Sequence, residues 1–130
     1  YGPVTLREAL GNSLNTPALR TIRFVTPEAY LPLLHRLGFA SLTDSAERYD
    51  EGLALGAGEV TLFELVQAYS TLAHRGAFRP LRFTLDAPDI TGQQVFSYEV
   101  ASLLSHILSD PWAREKEFGR ASILSLPVQT

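Results

Sequence analysis

Helix-start signals recur along this chain at spacings that leave room for little besides short helices. Thr5-Leu6-Arg7-Glu8 and Thr61-Leu62-Phe63-Glu64 both have the form of a capping box. In a box the threonine hydroxyl accepts the amide three residues on, and the glutamate there reaches back to the threonine amide. Thr16-Pro17 and Thr26-Pro27-Glu28 each place a proline where a first helical residue belongs and where its missing N–H costs nothing. Ser97 stands before a further apolar-periodic run.

Periodicity fills in the elements. A short helix should run from Leu6 to about Gly11, and a second should open at Thr16-Pro17. After Thr26, Tyr30, Leu33, Leu34 and Leu37 recur at helical spacing, with Gly38 as the stop. Between Ser41 and Gly58 the period fails, so that stretch reads as a loop with one helical turn around Ala46. Leu62, Leu65, Val66, Tyr69, Leu72 and Ala73 make one stripe, which predicts a helix from Leu62 to Arg75 closed by Gly76. Pro80 to Leu85 alternates and predicts a short strand, followed by a turn-rich loop from Asp86 to Gln94. The helix capped by Ser97 should reach Ser109, with Val100, Leu103, Leu104, Ile107 and Leu108 on one face. Asp110-Pro111 opens a last short helix that Gly119 ends, and Ile123 to Thr130 reads as extended because Pro127 cannot sit in a helix interior. The fold class is mainly α, with one or two strand pieces.

Composition narrows the function. A net charge of −3 with no basic cluster argues against nucleic-acid or anionic-membrane binding, because nothing would displace counterions from a phosphate backbone. The absence of cysteine excludes disulfides and thiolate metal sites. No apolar run approaches a membrane span, and at 130 residues starting on Tyr1 the chain reads as one domain, or a piece of a larger one.

The candidate chemistry lies between the first two helices. Ser13 and Asn15 are two residues apart on a connection between helices, where a hydroxyl and a carboxamide can face one cavity. Ser-x-Asn alone is a weak signal, since both side chains also serve to satisfy backbone groups at helix ends. The other candidates are weaker. His35 and His106 fall on polar helix faces, His74 sits in a last turn where the helix dipole favours it, and none has a second ligand at metal-site spacing. Glu47, Asp50, Glu51 and Glu59 read as a solvated loop rather than an acid/base pair. Leu55-Gly56-Ala57-Gly58 lacks the lysine of a phosphate loop, so its glycines are expected to permit a close backbone approach. Arg114-Glu115-Lys116-Glu117 reads as a solvated helix face.

The order of segments resembles the transpeptidase domain of class A penicillin-binding proteins, most nearly the penicillin-binding protein 1C group. The residues that carry the resemblance are Gly2-Pro-Val-Thr-Leu-Arg-Glu-Ala-Leu10 running into Ser13-Leu-Asn-Thr-Pro-Ala18, where the family writes its second active-site motif. Leu55-Gly-Ala-Gly-Glu-Val-Thr-Leu62, continuing through Glu64-Leu65 and Ala68-Tyr69 to Arg75-Gly76, is similar to a second shared block. Asp110-Pro111, Phe118-Gly119 and Leu126-Pro127-Val128 resemble the approach to the third motif.

The resemblance implies that residues 1–130 are the part of such a domain lying between its Ser-x-x-Lys and Lys-Thr-Gly motifs, mostly its helical lobe in an α+β fold. Neither motif occurs in this sequence: no serine is followed three residues later by lysine. By resemblance, Ser13 is a catalytic residue on the proton path between the lysine and the leaving nitrogen. Asn15 is catalytic and substrate-binding, orienting that lysine and bonding an amide of the substrate. The implied reaction is cross-linking of peptidoglycan stem peptides by serine acyl transfer, inactive in this chain alone, with no metal and no cofactor. The implied partners are stem peptides and β-lactams, with no nucleic acid, self-association of the isolated chain, and a place on the extracytoplasmic face of a bacterial inner membrane, anchored by a segment outside this chain. A helical protein-interaction module using the stripes of 62–75 and 98–109, or a related serine β-lactamase or β-lactam sensor domain, are the alternative readings.

Overall fold

The computed structural model describes residues 2–119, 122 and 123, and within them the chain is mainly helical. The helices are α1 Leu6–Gly11, α2 Asn15–Val25, α3 Pro27–Arg36, α4 Ala46–Tyr49, a 3₁₀ helix Asp50–Leu55, α5 Leu62–Ala73, α6 Tyr98–Ser109 and α7 Glu115–Phe118. The only strands among the described residues, β1 Ala77–Phe78 and β2 Gln93–Gln94, pair antiparallel with Ala77 opposite Gln94. The expected mainly α class is thus observed. The expected extended segment beyond Ile123, with Pro127 and the Leu126-Pro127-Val128 block, lies outside the described residues.

Both capping boxes form. Thr5 and Thr61 accept from Glu8 and Glu64 amides, and each glutamate returns a bond to its threonine amide. Ser97 caps α6 as expected, accepting from the Val100 amide. Helix α3 ends in a Schellman motif: Phe39 N–H reaches Leu34 O at 3.2 Å and Gly38 N–H reaches His35 O at 3.0 Å, with Gly38 at φ +93°. Phe39 is buried on the core side of that turn, the apolar contact that commonly accompanies it.

Four expectations about the elements need correction. Helix α2 begins at Asn15 rather than at Thr16-Pro17: extended Leu14 is its N-cap, and Pro17 occupies the third position, where the amide is still an orphan. The stretch from Ala46 to Leu55 holds two short helices, an α turn Ala46–Tyr49 and a 3₁₀ helix Asp50–Leu55, joined at Asp50 with φ +50° and ended by Gly56 at φ +88°. The alternating run Pro80–Leu85 is not a strand. Leu81 N–H is taken by Gln67 Oε1 at 3.1 Å, and Phe83 and Leu85 point into solvent. The strand lies a few residues earlier, and helix α5 stops two residues short of Arg75.

The core is built from Ile22, Leu31, Leu37, Phe39, Leu42, Leu53 and Ala68, drawn from α2, α3, the following loop, the 3₁₀ helix and α5. Gly58 admits this packing, since a Cβ there would overlap Leu42, which is the close approach expected of that glycine-rich run. Helix α6 packs on α1 and α5, outside that cluster.

The stripe expected to bury α5 faces outward. Leu62, Leu65, Val66 and Tyr69 are 40–76% exposed, while Glu64, Gln67, Ala68 and Thr71 are buried. On α6, Ala101 and Ile107 are buried, Leu104 is half-buried, and Val100, Leu103 and Leu108 are exposed. No helix among the described residues is long and apolar enough to cross a membrane.

Candidate active site

Helix α1 ends in the same hydrogen-bond pattern as α3, with one change of residue type. Leu14 N–H reaches back to Ala9 O at 3.0 Å and Ser13 N–H to Leu10 O at 3.2 Å. Ser13 therefore holds the left-handed position, at φ +53°, that Gly38 holds after α3. That conformation costs an L-residue about 1–2 kcal/mol, so the turn must be held by its surroundings.

The turn separates the two candidate residues structurally. Ser13 lies in the link itself, whereas Asn15 is the first residue of α2, with Leu14 as an N-cap that provides no side-chain bond. Both side chains are exposed, and neither has a hydrogen-bond partner among the described residues. They line one cavity of about 920 Å³ together with Thr16, Arg20, Asn12 and Glu117. A hydroxyl and a carboxamide with free hydrogen-bonding capacity on one cavity wall can relay a proton and bind an amide.

One lining residue, Glu117, comes from the far end of the chain, which packs against α1. The Asn12 side chain is buried, donating to Ala113 O at 2.7 Å and Glu8 O at 2.9 Å and accepting from Glu117 N–H at 3.1 Å. Arg7 pairs with Asp110 at 3.0 Å, and Lys116 with Glu8 at 2.7 Å. Gly11 lies against the same segment, since a Cβ there would come within 2.7 Å of Ala113 O. The run 114–117, expected to be a solvated face, is thus partly committed to α1. The Lys116 ammonium beside Glu8 and the Thr5 amide pull the Glu8 carboxyl down to about 2. Sequence reasoning missed Asn12 because its partners are 101 and 105 residues away, and no local pattern marks them.

The lesser candidates settle into structural roles. His35 meets Leu42 O at 2.8 Å, His74 meets Ser70 O at 2.8 Å as the α5 C-cap, and His106 Nδ1 accepts from Arg7 at 2.8 Å. Among the described residues no group of three or more His, Cys, Asp or Glu is placed to hold a metal. Glu51 pairs with Arg23 at 2.6 Å, which holds its carboxyl below the usual range.

A family described as penicillin binding protein transpeptidase domain matches residues 1–121. Penicillin-binding protein 4 of Bacillus subtilis is 30% identical over 98 residues, 75% of this chain and 16% of that protein. Penicillin-binding protein 1C of Escherichia coli is 26% identical over 110 residues, 85% of this chain and 14% of that protein. Penicillin-binding protein 1A of Aquifex aeolicus is 40% identical over 76 residues, 58% of this chain and 10% of that protein. The chain thus spans about one sixth or less of the length of these relatives.

Proposed function

The chain belongs to the penicillin-binding protein transpeptidase family, and on that premise we propose that residues 1–130 form the part of such a domain that carries its Ser-x-Asn motif. In this reading the complete domain cross-links peptidoglycan stem peptides on the extracytoplasmic face of the bacterial inner membrane, and β-lactams acylate it. The observation that carries the reading is that Ser13 and Asn15 line one cavity, with both side chains free of hydrogen-bond partners among the described residues.

The reaction is acyl transfer through a serine ester. The oxygen of the nucleophilic serine bonds to the carbonyl carbon of the penultimate D-alanine, and the amide C–N bond breaks. The proton lost by that serine passes through the lysine and the Ser13 hydroxyl to the leaving D-alanine nitrogen. In the second half an acceptor amine forms the new amide, the ester C–O bond breaks, and the proton of that amine returns to the serine. Asn15 holds the lysine in line and bonds the amide of the stem peptide or of a β-lactam side chain. The lysine and the nucleophile belong to the Ser-x-x-Lys motif, which this sequence does not contain.

The test is the second-order rate of penicillin acylation in the full-length protein carrying this segment. Loss of a general acid–base group costs about 10²–10⁴-fold. Ser13→Ala should slow acylation within that range with little change in melting temperature, and Asn15→Ala should weaken both binding and acylation. Wild-type acylation by Ser13→Ala would reduce Ser13-Leu14-Asn15 to a helix connection. The outward apolar stripe of α5 favours a second reading, an interaction module, whose partner would bind with Ser13 and Asn15 both replaced.

A further inference from the structure

We propose that Asn12 is the positioning residue for Ser13, and that the segment Asp110–Phe118 is the template against which it works; this rests on the catalytic reading of Ser13 given above. Asn12 is 3% exposed and immediately precedes the residue in the left-handed turn. Its carboxamide uses both donor hydrogens and its acceptor oxygen. One donor closes on the carbonyl of Glu8 in its own helix. The other donor and the oxygen engage main-chain groups at Ala113 and Glu117, four residues apart. A side chain that bonds backbone on both sides fixes distance and orientation at once, independently of which side chains the template carries.

The contacts around it point the same way. Gly11 brings the α1 backbone against Ala113 with no room for a side chain. The Arg7–Asp110 and Lys116–Glu8 pairs flank the contact. Helix α1 is therefore docked on 110–118 by a buried amide and two peripheral ion pairs, and the Schellman turn that aims Ser13 begins at the docked residue. The relaxed alternative, with Ser13 leaving the left-handed region, is opposed by the two turn hydrogen bonds and by this anchor on the α1 side. A misplacement of about 1 Å at a reacting group can cost about a hundredfold in rate, so the anchor bears on acylation as well as on folding.

The experiment is a double-mutant cycle in the full-length protein, with acylation by labelled penicillin followed well below every melting temperature. Asn12→Ala should slow acylation about ten- to a hundredfold. On the Ser13→Ala background the same change should cost little further, because the hydroxyl it would have placed is gone. Asn12→Asp, which keeps the size and the acceptor for Glu117 N–H but loses both donors, carries the same comparison should the alanine variant fail to fold. Thr61→Ala removes the cap of α5, none of whose residues lines the cavity, and should lower the melting temperature while leaving acylation unchanged. Wild-type acylation by both Asn12 variants would overturn the proposal. So would a full loss repeated on the Ser13→Ala background, which would mean that Asn12 acts on the whole fold. If Asn12→Ala slows acylation while Ser13→Ala does not, the reading of Ser13 has failed and this proposal with it.

Discussion

The two capping boxes are the same local device in two surroundings. In each, glutamate Oε2 closes the box on its threonine, at 3.1 Å from Thr5 N and 2.9 Å from Thr61 N. In each, the other oxygen leaves the helix. Glu8 Oε1 meets the Lys116 ammonium at 2.7 Å in a half-exposed pair, and Oε1 of the buried Glu64 accepts the Ser41 amide at 2.8 Å in a part-buried contact. One box therefore ties α1 to 110–118 by charge, and the other ties α5 to the loop after α3 by a backbone bond. The difference extends to whole helices. Around α1 the polar groups find polar partners and the site remains chemically incomplete. Around α5 the polar face is buried and the apolar face remains unpacked.

The largest effect separates these two kinds of incompleteness. The 130-residue chain alone should form no covalent adduct with excess labelled penicillin, since it holds no Ser-x-x-Lys and gives Ser13 no base. The same sample should bind a hydrophobic dye and sediment above monomer mass, because contiguous exposed apolar surface of several hundred Å² seeks a partner. A stoichiometric adduct on Ser13 by intact mass would show the site end to be complete. A strict monomer that ignores the dye would show that the α5 face needs no cover.

A smaller effect inverts the usual expectation for a helix. Gln67 is buried and accepts the Leu81 amide, whereas Leu62 is 76% exposed. Gln67→Ala leaves the part-buried Leu81 amide without its acceptor, at a cost of about 1 kcal/mol or more. Leu62→Ala should change stability by no more than about 0.5 kcal/mol, yet it should weaken self-association. Denaturant melts of both variants check the pair. A leucine substitution that costs more than the glutamine one would mean the stripe is packed in solution.

What the sequence made legible follows from how far each signal reaches. The boxes at Thr5 and Thr61, the cap at Ser97 and the stop at Gly38 depend on residues within a turn or so of one another, and all were read in place. The start of α2 was misplaced because Ser13 takes a left-handed turn position that residue type assigns to glycine or asparagine. The 3₁₀ helix escaped because six residues with three per turn show no 3.6-residue period. The stripe on α5 was identified correctly as a stripe, but periodicity reports that a face is apolar and not whether anything covers it. Ser13 and Asn15 were picked out by local pattern, while Asn12 depended on a strand of chain a hundred residues away.

The smallest effect returns to the two glutamates and asks whether a counter-charge or a backbone hydrogen bond sets their acidity. Both carboxyls fall from 4.5 to about 2 on folding, Glu8 chiefly through the Lys116 hydrogen bond and Glu64 chiefly through the Thr61 amide, with Ser41 adding to it. A folded-state value below the unfolded one means that each group contributes stability above about pH 4.5 and loses it as pH falls toward 2. In that window the wild type should lose melting temperature more steeply than either Glu8→Gln or Glu64→Gln. Salt then distinguishes them. The Debye length is about 3 Å at 1 M, so high salt should flatten the contribution of the half-exposed Glu8 pair. The Glu64 contribution should persist, since its leading cause is a part-buried hydrogen bond from the Thr61 amide with no counter-charge to screen. Melting temperatures of the three proteins across that pH range, at low and at molar salt, read this directly. Equal salt sensitivity of the two glutamates would mean that the boxes differ in partner but not in physics, and the contrast between the two helices would then rest on packing alone.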